Sequence, residues 1–251
     1  MARLILLGTS NAVPTEHHEN THMVLVTDDG AVLIDCVSTP NVRLARAGLT
    51  LDSITDLILT HFHPDHVSGV PLLLMNMWLM GRQRPLRIYG LHHCLERLED
   101  MMGFYHWENW PDFFQVVFHR LPERERVLVL EKPEVRIFSS PVRHMVPTIG
   151  LRMESKNGDG VVAYSSDTEP TASVVRLASG ASVLLHESSG GGPGHSTAAQ
   201  AGTVAREAEV GALLLIHYPA AELDEESLLE QARAAFQGEV ALARDFQEIR
   251  L

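Results

Sequence analysis

The sequence predicts an α/β fold in a single domain that spans residues 1–251. Short apolar runs typical of strands come in pairs and alternate along the chain with longer segments typical of helices. Hydrophobic residues make up 45% of the 251 residues, which is enough for a sizeable core. No internal repeat, low-complexity tract or linker divides the chain, so we expect these elements to pack together.

The first half of the chain begins with a strand and a hairpin. Asp28-Asp29-Gly30 is a hairpin turn signal between two apolar runs, and Gly48 marks the end of the first helix. The predicted strands are Arg3–Gly8, Met23–Thr27, Ala31–Asp35, Leu57–Leu59 and Leu86–Tyr89. The predicted helices are Thr39–Gly48, Val67–Met80 and Leu91–Met102.

The second half repeats the alternation. Lys156 to Gly160 is a polar, glycine-containing turn between two strands, and acidic residues fill the first turn of the last helix. The predicted strands are Val127–Leu130, Val135–Ser139, Thr148–Met153, Val161–Ser165, Val183–Leu185, Ala212–Ile216 and Val240–Leu242. The predicted helices are Thr171–Ala178, Ala198–Glu209 and Asp224–Gln237.

Composition narrows the classes of function. A net charge of −12 argues against a broad nucleic-acid-binding surface. Cys36 and Cys94 are the only cysteines, which excludes a disulfide framework and a cysteine-rich zinc site. The apolar stretch Val70–Met80 is too short to span a bilayer, and the N-terminus lacks a secretory signal, so we expect a cytoplasmic protein without membrane contact.

The segment Leu57–Gly69 has the clearest chemical signal. Three histidines and an aspartate follow an apolar strand within six residues: His61, His63, Asp65 and His66. In an extended segment His61 and His63 point the same way, and Pro64 favours that conformation at His63. Imidazole and carboxylate donors suit zinc, and two separated pairs predict two ions.

These four residues match the H-x-H-x-D-H signature of the metallo-β-lactamase superfamily, so the chain resembles those hydrolases. The resemblance implies a metallo-β-lactamase fold, a four-layer αββα sandwich with the metals at its edge. It extends from Leu7 to about Pro219 and includes the glycine-containing turn that follows the first strand.

The same resemblance implies the remaining ligands. His144 follows a strand where the family places a third ligand, and His217 ends a strand where it places the last. Ser166-Asp167-Thr168 resembles the family's S-G-D-T turn, with serine in place of glycine, and a carboxylate there can bridge two ions. One zinc ion would bind to His61, His63, His144 and Asp167. The second would bind to Asp65, His66, Asp167 and His217. Manganese or iron would also suit such donors.

Two further motifs indicate the ribonuclease Z-like branch. His186-Glu187-Ser188-Ser189 resembles the H-E-A-T motif of ribonuclease Z, and His195-Ser196-Thr197 its H-S-T motif. By resemblance, His195 protonates the leaving alkoxide and Glu187 orients and charges that histidine. A metal-bridging hydroxide would attack phosphorus, and Asp65 could accept a proton from the attacking water.

One departure bears on the substrate. Ribonuclease Z enzymes that mature transfer RNA usually carry a basic, glycine-rich arm between the ligands that match His144 and Asp167, but only 22 residues separate the two here. The substrate is therefore either RNA, bound without an arm or with a partner subunit's arm, or a small phosphodiester such as a cyclic nucleotide or cyclic phosphate. The acidic net charge favours the small phosphodiester.

Three other classes stay open. A lactonase or thioesterase would use the same metals without requiring Glu187 and His195. A di-iron oxidoreductase is disfavoured, because such members usually have glutamate where His63 stands. A non-enzymatic metal-binding module would bind metal without turnover. The family also implies a homodimer.

Two groups of residues have open interpretations. His17, His18 and His22 are either solvated loop residues or, for His22, a neighbour of the metal site. The aromatic residues between 103 and 118 could form part of the core, a substrate cleft or a dimer interface.

Overall fold

The computed structural model describes residues 2–158 and 160–251. Met1 and Asp159, the latter part of the predicted turn from Lys156 to Gly160, lie outside the described residues. Strands and helices alternate along the chain as the sequence predicts.

Two seven-stranded sheets are present in the described residues. The strands of the first are β1 (Arg3–Gly8), β2 (His22–Thr27), β3 (Gly30–Ile34), β4 (Ile54–Ile58), β5 (Leu86–Leu91), β6 (Val116–Leu121) and β14 (Glu248–Arg250). The strands of the second are β7 (Val127–Glu131), β8 (Val135–Val142), β9 (Thr148–Ser155), β10 (Val161–Tyr164), β11 (Val183–Glu187), β12 (Ala212–Ile216) and β13 (Glu239–Leu242). Their orders are β14-β1-β2-β3-β4-β5-β6 and β13-β12-β11-β10-β9-β8-β7.

The helices cover the outer faces of the sheets. They are α1 (Pro40–Arg46), α2 (Pro64–Val67), α3 (Val70–Leu79), α4 (His92–Gly103), α5 (Ala172–Ala178), α6 (Ala198–Glu207) and α7 (Glu225–Ala235). Three apolar clusters hold the layers together. One lies between the sheets, one packs the first sheet against α1, α3 and α4, and one packs the second sheet against α5, α6 and α7. The layers therefore follow the predicted αββα order.

The helix predicted over Val67–Met80 is two helices in the structure. The chain breaks between α2 and α3 because Gly69 runs directly against the backbone of Val37, where a Cβ atom would lie 2.7 Å from the Val37 carbonyl group. The Gly69 amide also donates to the Cys36 carbonyl oxygen at 2.9 Å. This contact separates α2 from α3.

The aromatic segment mainly packs in the core. Phe114 is buried against the first sheet, and Trp107, Trp110 and Phe118 pack partly buried beside it. Phe104 instead exposes 84% of its surface. The segment also contains the start of β6, which the sequence did not predict.

The candidate site residues follow the ends of several strands at one edge of the sandwich. Strands β10, β11 and β12 run parallel, so their carboxyl ends lie side by side. The residues just after them are Ser165–Thr168, Ser188–Ser189 and His217, and the chain after β4 brings the H-x-H-x-D-H segment to the same place. None of the helices in the described part of the chain is both long and apolar enough to cross a membrane.

His22 corrects one interpretation of the loop histidines. His17 is exposed, as a solvated loop residue would be, whereas His22 starts β2 and is fully buried. Its Nδ1 atom donates to the Asn20 carbonyl oxygen at 2.8 Å. Burial is the main cause that lowers its pKa from 6.5 to about 4. The hydrogen bond to Asn20 and the charges of Glu19 and Asp245 oppose the decrease, and Arg43 adds to it.

This pKa predicts an acid-sensitive fold. Between pH 6.5 and about 4 the unfolded chain binds a proton at His22 that the folded chain does not bind. The contribution of His22 to stability is therefore fully present above about pH 6.5, and about 3 kcal/mol of it is lost as the pH drops through this window. We expect His22→Gln to remove that part of the loss. Denaturant titrations of both proteins at pH 7 and pH 4 measure it, and equal losses in the two proteins would refute the assignment.

Candidate metal centre

The first donor group consists of three histidines after β4 and β8. The backbone is extended at His63, with φ −104° and ψ 152°, so His61 and His63 point the same way as predicted. The His61 Nε2 atom lies 3.1 Å from His63 Nδ1, and His144 Nε2 lies 3.0 Å from the same His63 atom. His144 reaches this group from the loop between β8 and β9.

The second donor group lies beside the first. Asp65 and His66 belong to α2, and His217 follows β12. The Asp65 Oδ2 atom lies 3.3 Å from His217 Nε2 and 3.6 Å from His66 Nε2. Two distant parts of the chain thus direct three donor residues to one point.

Asp167 lies between the two groups and faces both. Its Oδ2 atom lies 3.9 Å from the Nε2 atoms of His61 and His144. Its Oδ1 atom lies 3.5 Å from the Nε2 atoms of His66 and His217. Ser166 has a left-handed backbone, φ 53°, which explains why the family's turn favours glycine at this position.

These donors fit divalent metal ions. All candidate ligand atoms of each group lie within 4.8 Å of one another. A tetrahedral zinc ion with bonds of about 2.0–2.1 Å would separate its nitrogen ligands by roughly 3.3 Å, close to the distances of the first group. The His66 Nε2 and Asp167 Oδ1 atoms are buried and have no hydrogen-bond partner among the described residues. Buried polar atoms without partners are costly, and an ion would satisfy both.

The two donor groups differ in their protonation. Burial lowers the pKa of His61 well below its ordinary value, and it likewise lowers the pKa values of His63 and His144. Burial opposes protonation of His66 too, but the carboxylates of Asp167 and Asp35 outweigh it and raise that pKa. The first group is therefore a set of neutral imidazoles, while the carboxylates attract positive charge to the second.

Asp35 orients two of the histidines. It accepts hydrogen bonds from the Thr60 amide, the Thr60 hydroxyl group and His66 Nδ1, each at 2.8 Å. The Thr60 oxygen in turn accepts from His61 Nδ1 at 3.1 Å. Both rings consequently direct the Nδ1 hydrogen towards the protein and leave Nε2 facing the site. Asp35 was not predicted from the sequence, although its position at the end of an apolar strand was an available signal.

Two contacts orient the other histidines in the same way. His144 Nδ1 donates to the Gly194 carbonyl oxygen at 2.7 Å. His217 Nδ1 donates to the Ser189 hydroxyl oxygen at 2.7 Å, because that hydroxyl donates its own hydrogen to the His217 carbonyl oxygen. Neither Gly194 nor Ser189 was assigned this role from the sequence, since both contacts connect distant segments.

Four hydrogen bonds hold the Glu187 side chain next to His195. Its Oε1 atom accepts from the amides of Thr168 and Ser196 and from His195 Nδ1, at 3.1, 3.0 and 3.0 Å. Its Oε2 atom accepts from the Ser189 amide at 2.9 Å. Although Glu187, His195 and His217 lie close enough to hold an ion, these four hydrogen bonds commit Glu187 to its neighbours. The hydrogen bond to Glu187 is the main cause that raises the pKa of His195.

A small cavity of about 180 Å³ opens over the donor atoms. His195 is partly exposed there, and its ring stacks parallel to that of His217 with the centroids 6.0 Å apart. The cavity is lined by Asn11, Ala12, His63, Asp65, Met145, Asp167, Ser189, His195 and His217. The structure therefore brings together every residue predicted for the site, while their individual roles stay predictions.

Comparisons with known proteins agree with the predicted family and fold. The sequence model of the family described as anti-Pycsar protein Apyc1 matches residues 2–241. A ribonuclease Z from Methanothermobacter thermautotrophicus is 29% identical over 94% of this chain and 92% of its own length. Another from Porphyromonas gingivalis is 26% identical over 94% of this chain and 95% of its own.

Solved structures show the same fold. The metallo-β-lactamase fold protein YhfI from Bacillus subtilis has a TM-score of 0.83 at 21% identity, over 99% of this chain and 98% of its own. The short form of human tRNase Z has a TM-score of 0.79 at 23% identity, over 99% and 98%. The predicted metallo-β-lactamase fold is confirmed.

The hydrogen bonds that Asp35 accepts predict that its substitution strongly lowers stability. In Asp35→Ala the three donors from Thr60 and His66 lose a buried acceptor, and each unsatisfied group costs about 1–3 kcal/mol. We expect the free energy of unfolding to fall by roughly 3 kcal/mol or more in metal-free protein, as measured by denaturant titration. Glu248→Ala, which breaks an exposed ion pair with Arg3, is the control and should change stability by less than about 1 kcal/mol. Equal effects of the two substitutions would contradict this role.

Proposed function

The chain belongs to the anti-Pycsar protein Apyc1 family and is a ribonuclease Z-like, metal-dependent hydrolase, and on this premise we propose that it cleaves small phosphodiesters with two divalent ions. Zinc is the ion we expect, because the donors are imidazoles and carboxylates. The homodimer that the sequence resemblance implies stays a prediction.

The main support for this proposal is that the two carboxylate oxygens of Asp167 face two different donor groups. One oxygen faces His61 and His144, and the other faces His66 and His217. Two divalent ions would bring four positive charges against two negative charges from Asp65 and Asp167. Such a site attracts an anionic substrate even though the whole chain carries a net charge of −12.

The ions would supply a hydroxide nucleophile near neutral pH and stabilise the negative charge that develops on the phosphoryl oxygens. The protein's own residues hold this chemistry in place. Asp35, Gly194 and Ser189 fix the rings of His66, His144 and His217, so the donor atoms need little rearrangement. Asp65 lines the cavity, where it can accept a proton from the attacking water.

We assign to His195 the protonation of the leaving group. Its Nδ1 hydrogen is held by Glu187 at 3.0 Å, and the residue lines the cavity over the donor atoms. The buried negative charge of Glu187 favours the protonated ring, which a general acid needs. The Glu187 and His195 pair therefore supports cleavage of esters whose leaving alkoxide must gain a proton.

The segment between His144 and Asp167 supports a small substrate. Strands β9 and β10 and their turn account for most of its 22 residues, which leaves no length for a protruding arm. The alignment with the Methanothermobacter ribonuclease Z extends over 296 positions against 251 residues here, so at least 45 positions of that relative have no counterpart in this chain. A cyclic nucleotide or cyclic phosphate needs no such arm.

RNA is the second candidate substrate, and a specific observation favours it. Both curated relatives described above are named ribonuclease Z and align over more than nine tenths of this chain. Cleavage of RNA would then require a binding surface other than an arm between His144 and Asp167.

A substrate panel tests the proposal. Zinc-loaded protein is assayed with bis(p-nitrophenyl) phosphate, a cyclic nucleotide, a precursor transfer RNA and a lactone, and Asp167→Ala is the inactive control. We expect turnover of the two small phosphodiesters and its loss in the control. Cleavage of precursor transfer RNA alone would favour the second candidate. Cleavage of the lactone alone would contradict phosphodiesterase function while leaving the metal site intact.

The role of His195 predicts a dependence on the leaving group. p-Nitrophenolate can leave without gaining a proton, whereas the sugar alkoxide of a cyclic nucleotide needs a proton to leave. General acid catalysis contributes about 10²–10⁴-fold, so His195→Ala should lower kcat on the cyclic nucleotide by at least about 100-fold but lower it far less on bis(p-nitrophenyl) phosphate. Steady-state kinetics on both substrates measure the ratio. Equal losses would show that His195 acts otherwise, for example in positioning.

A further inference from the structure

The glycine-rich segment of residues 190–194 leads directly into His195. Four of its five residues are glycines, and residues 190–193 are exposed. Gly190 and Gly194 have φ angles of 104° and 80°, in the region that favours glycine. Because glycine has more conformational freedom than any other residue, the segment needs anchors if His195 is to keep one position.

Two hydrogen bonds anchor this segment to distant parts of the described chain, and both involve Gly194. The Gly194 amide donates to Glu169 Oε1 at 3.0 Å, and the Gly194 carbonyl oxygen accepts from His144 Nδ1 at 2.7 Å. The other hydrogen bonds that the structure gives to residues 190–194 are local and stay within residues 190–196. A Cβ atom on Gly194 would lie 2.7 Å from His144 Nδ1, so the segment runs directly against that ring.

The Glu169 side chain is itself held by Arg143. Its Oε2 atom lies 3.1 Å from Arg143 Nε, and the Glu169 amide donates to the Arg143 carbonyl oxygen at 2.8 Å. Arg143 directly precedes His144, and Glu169 follows Asp167 by two residues. One residue thus connects the three segments that carry His144, Asp167 and His195.

The contact with Gly194 matters more than the ion pair. Arg143 exposes 72% of its side chain and Glu169 exposes 31%, and exposed ion pairs contribute little to stability. A backbone amide that donates to a carboxylate forms a charge-assisted hydrogen bond, which is stronger than one between neutral groups. Gly194 is also buried. The main effect of Glu169 is therefore to hold the backbone directly before His195.

We propose that Glu169 is a positioning residue that fixes His195 over the metal donors through the Gly194 amide. This inference rests on the proposed phosphodiesterase function and adds a residue on which its general acid depends. Glu187 holds the His195 ring at Nδ1, whereas Glu169 holds the backbone that precedes the ring. Both contacts together determine where the second ring nitrogen lies relative to the leaving oxygen.

Amide hydrogen exchange tests the anchor independently of turnover. Glu169→Ala removes the acceptor of the Gly194 amide, so NMR on zinc-loaded protein should show that this amide exchanges at least about tenfold faster. Glu169→Gln keeps an acceptor oxygen and should lie closer to wild type than to Glu169→Ala. Glu125→Ala breaks another exposed ion pair, with Arg176, and is the control that should leave the exchange unchanged.

Steady-state kinetics test whether the anchor acts through His195. Glu169→Ala should lower kcat on a cyclic nucleotide by about tenfold, because a misplaced general acid transfers its proton less efficiently. It should lower kcat on bis(p-nitrophenyl) phosphate far less, since that leaving group needs no proton. Glu169→Gln should recover most of the loss, and the zinc content of all variants should equal that of wild type.

The outcomes separate this role from a general structural one. Unchanged exchange of the Gly194 amide in Glu169→Ala would overturn the proposal. Equal losses of kcat on the two substrates, or faster exchange without any loss, would also overturn it. Faster exchange at both Gly194 and His195 in a protein that cleaves neither phosphodiester would support the anchoring of His195 and contradict the proposed function.

Discussion

The site depends on one carboxylate that is shared between two sets of donors. Asp167 is buried, and its two oxygens face separate groups at 3.5–3.9 Å. A carboxylate can be left in such a position only if positive charge compensates it, because burying an unpaired charge is costly. The geometry therefore ties the electrostatics of the site to the presence of cations, and the surrounding architecture keeps the donors in place.

Two further buried carboxylates hold the histidines of the site in position. Asp35 binds to His66 directly and to His61 through Thr60, while Glu187 binds to His195 and to backbone amides. Both accept several hydrogen bonds, which makes their burial tolerable. Part of the chain's acidity is thus structural: these carboxylates set which nitrogen of each ring carries hydrogen.

Features set by residues close in sequence could be predicted from the residues themselves, whereas contacts between distant segments could not. His61 and His63 could be paired from residue spacing alone, because a local extended conformation determines their direction. His144 and His217 were assigned only by resemblance, since nothing local shows that a loop after β8 and the end of β12 meet. The αββα layers were likewise a consequence of the resemblance, whereas the alternation of elements was visible in the residues.

What escaped prediction depends on contacts between distant segments. The break between α2 and α3 follows from the close approach of Gly69 to Val37, which no helical pattern records. The β14 strand has only three residues, and it forms because β1 offers a free edge. The buried state of His22 was missed because a polar loop precedes it and the burial comes from residues elsewhere.

The most direct test of a metal centre shared by Asp167 is an anomalous diffraction measurement at the zinc absorption edge on crystals of the zinc-loaded protein. A shared-carboxylate centre predicts two peaks, one on each side of the Asp167 carboxylate, separated by about 3.5–4 Å as in other two-metal sites. One peak should lie among His61, His63 and His144, and the other beside His66 and His217. A single peak, or peaks away from Asp167, would contradict the shared-carboxylate centre.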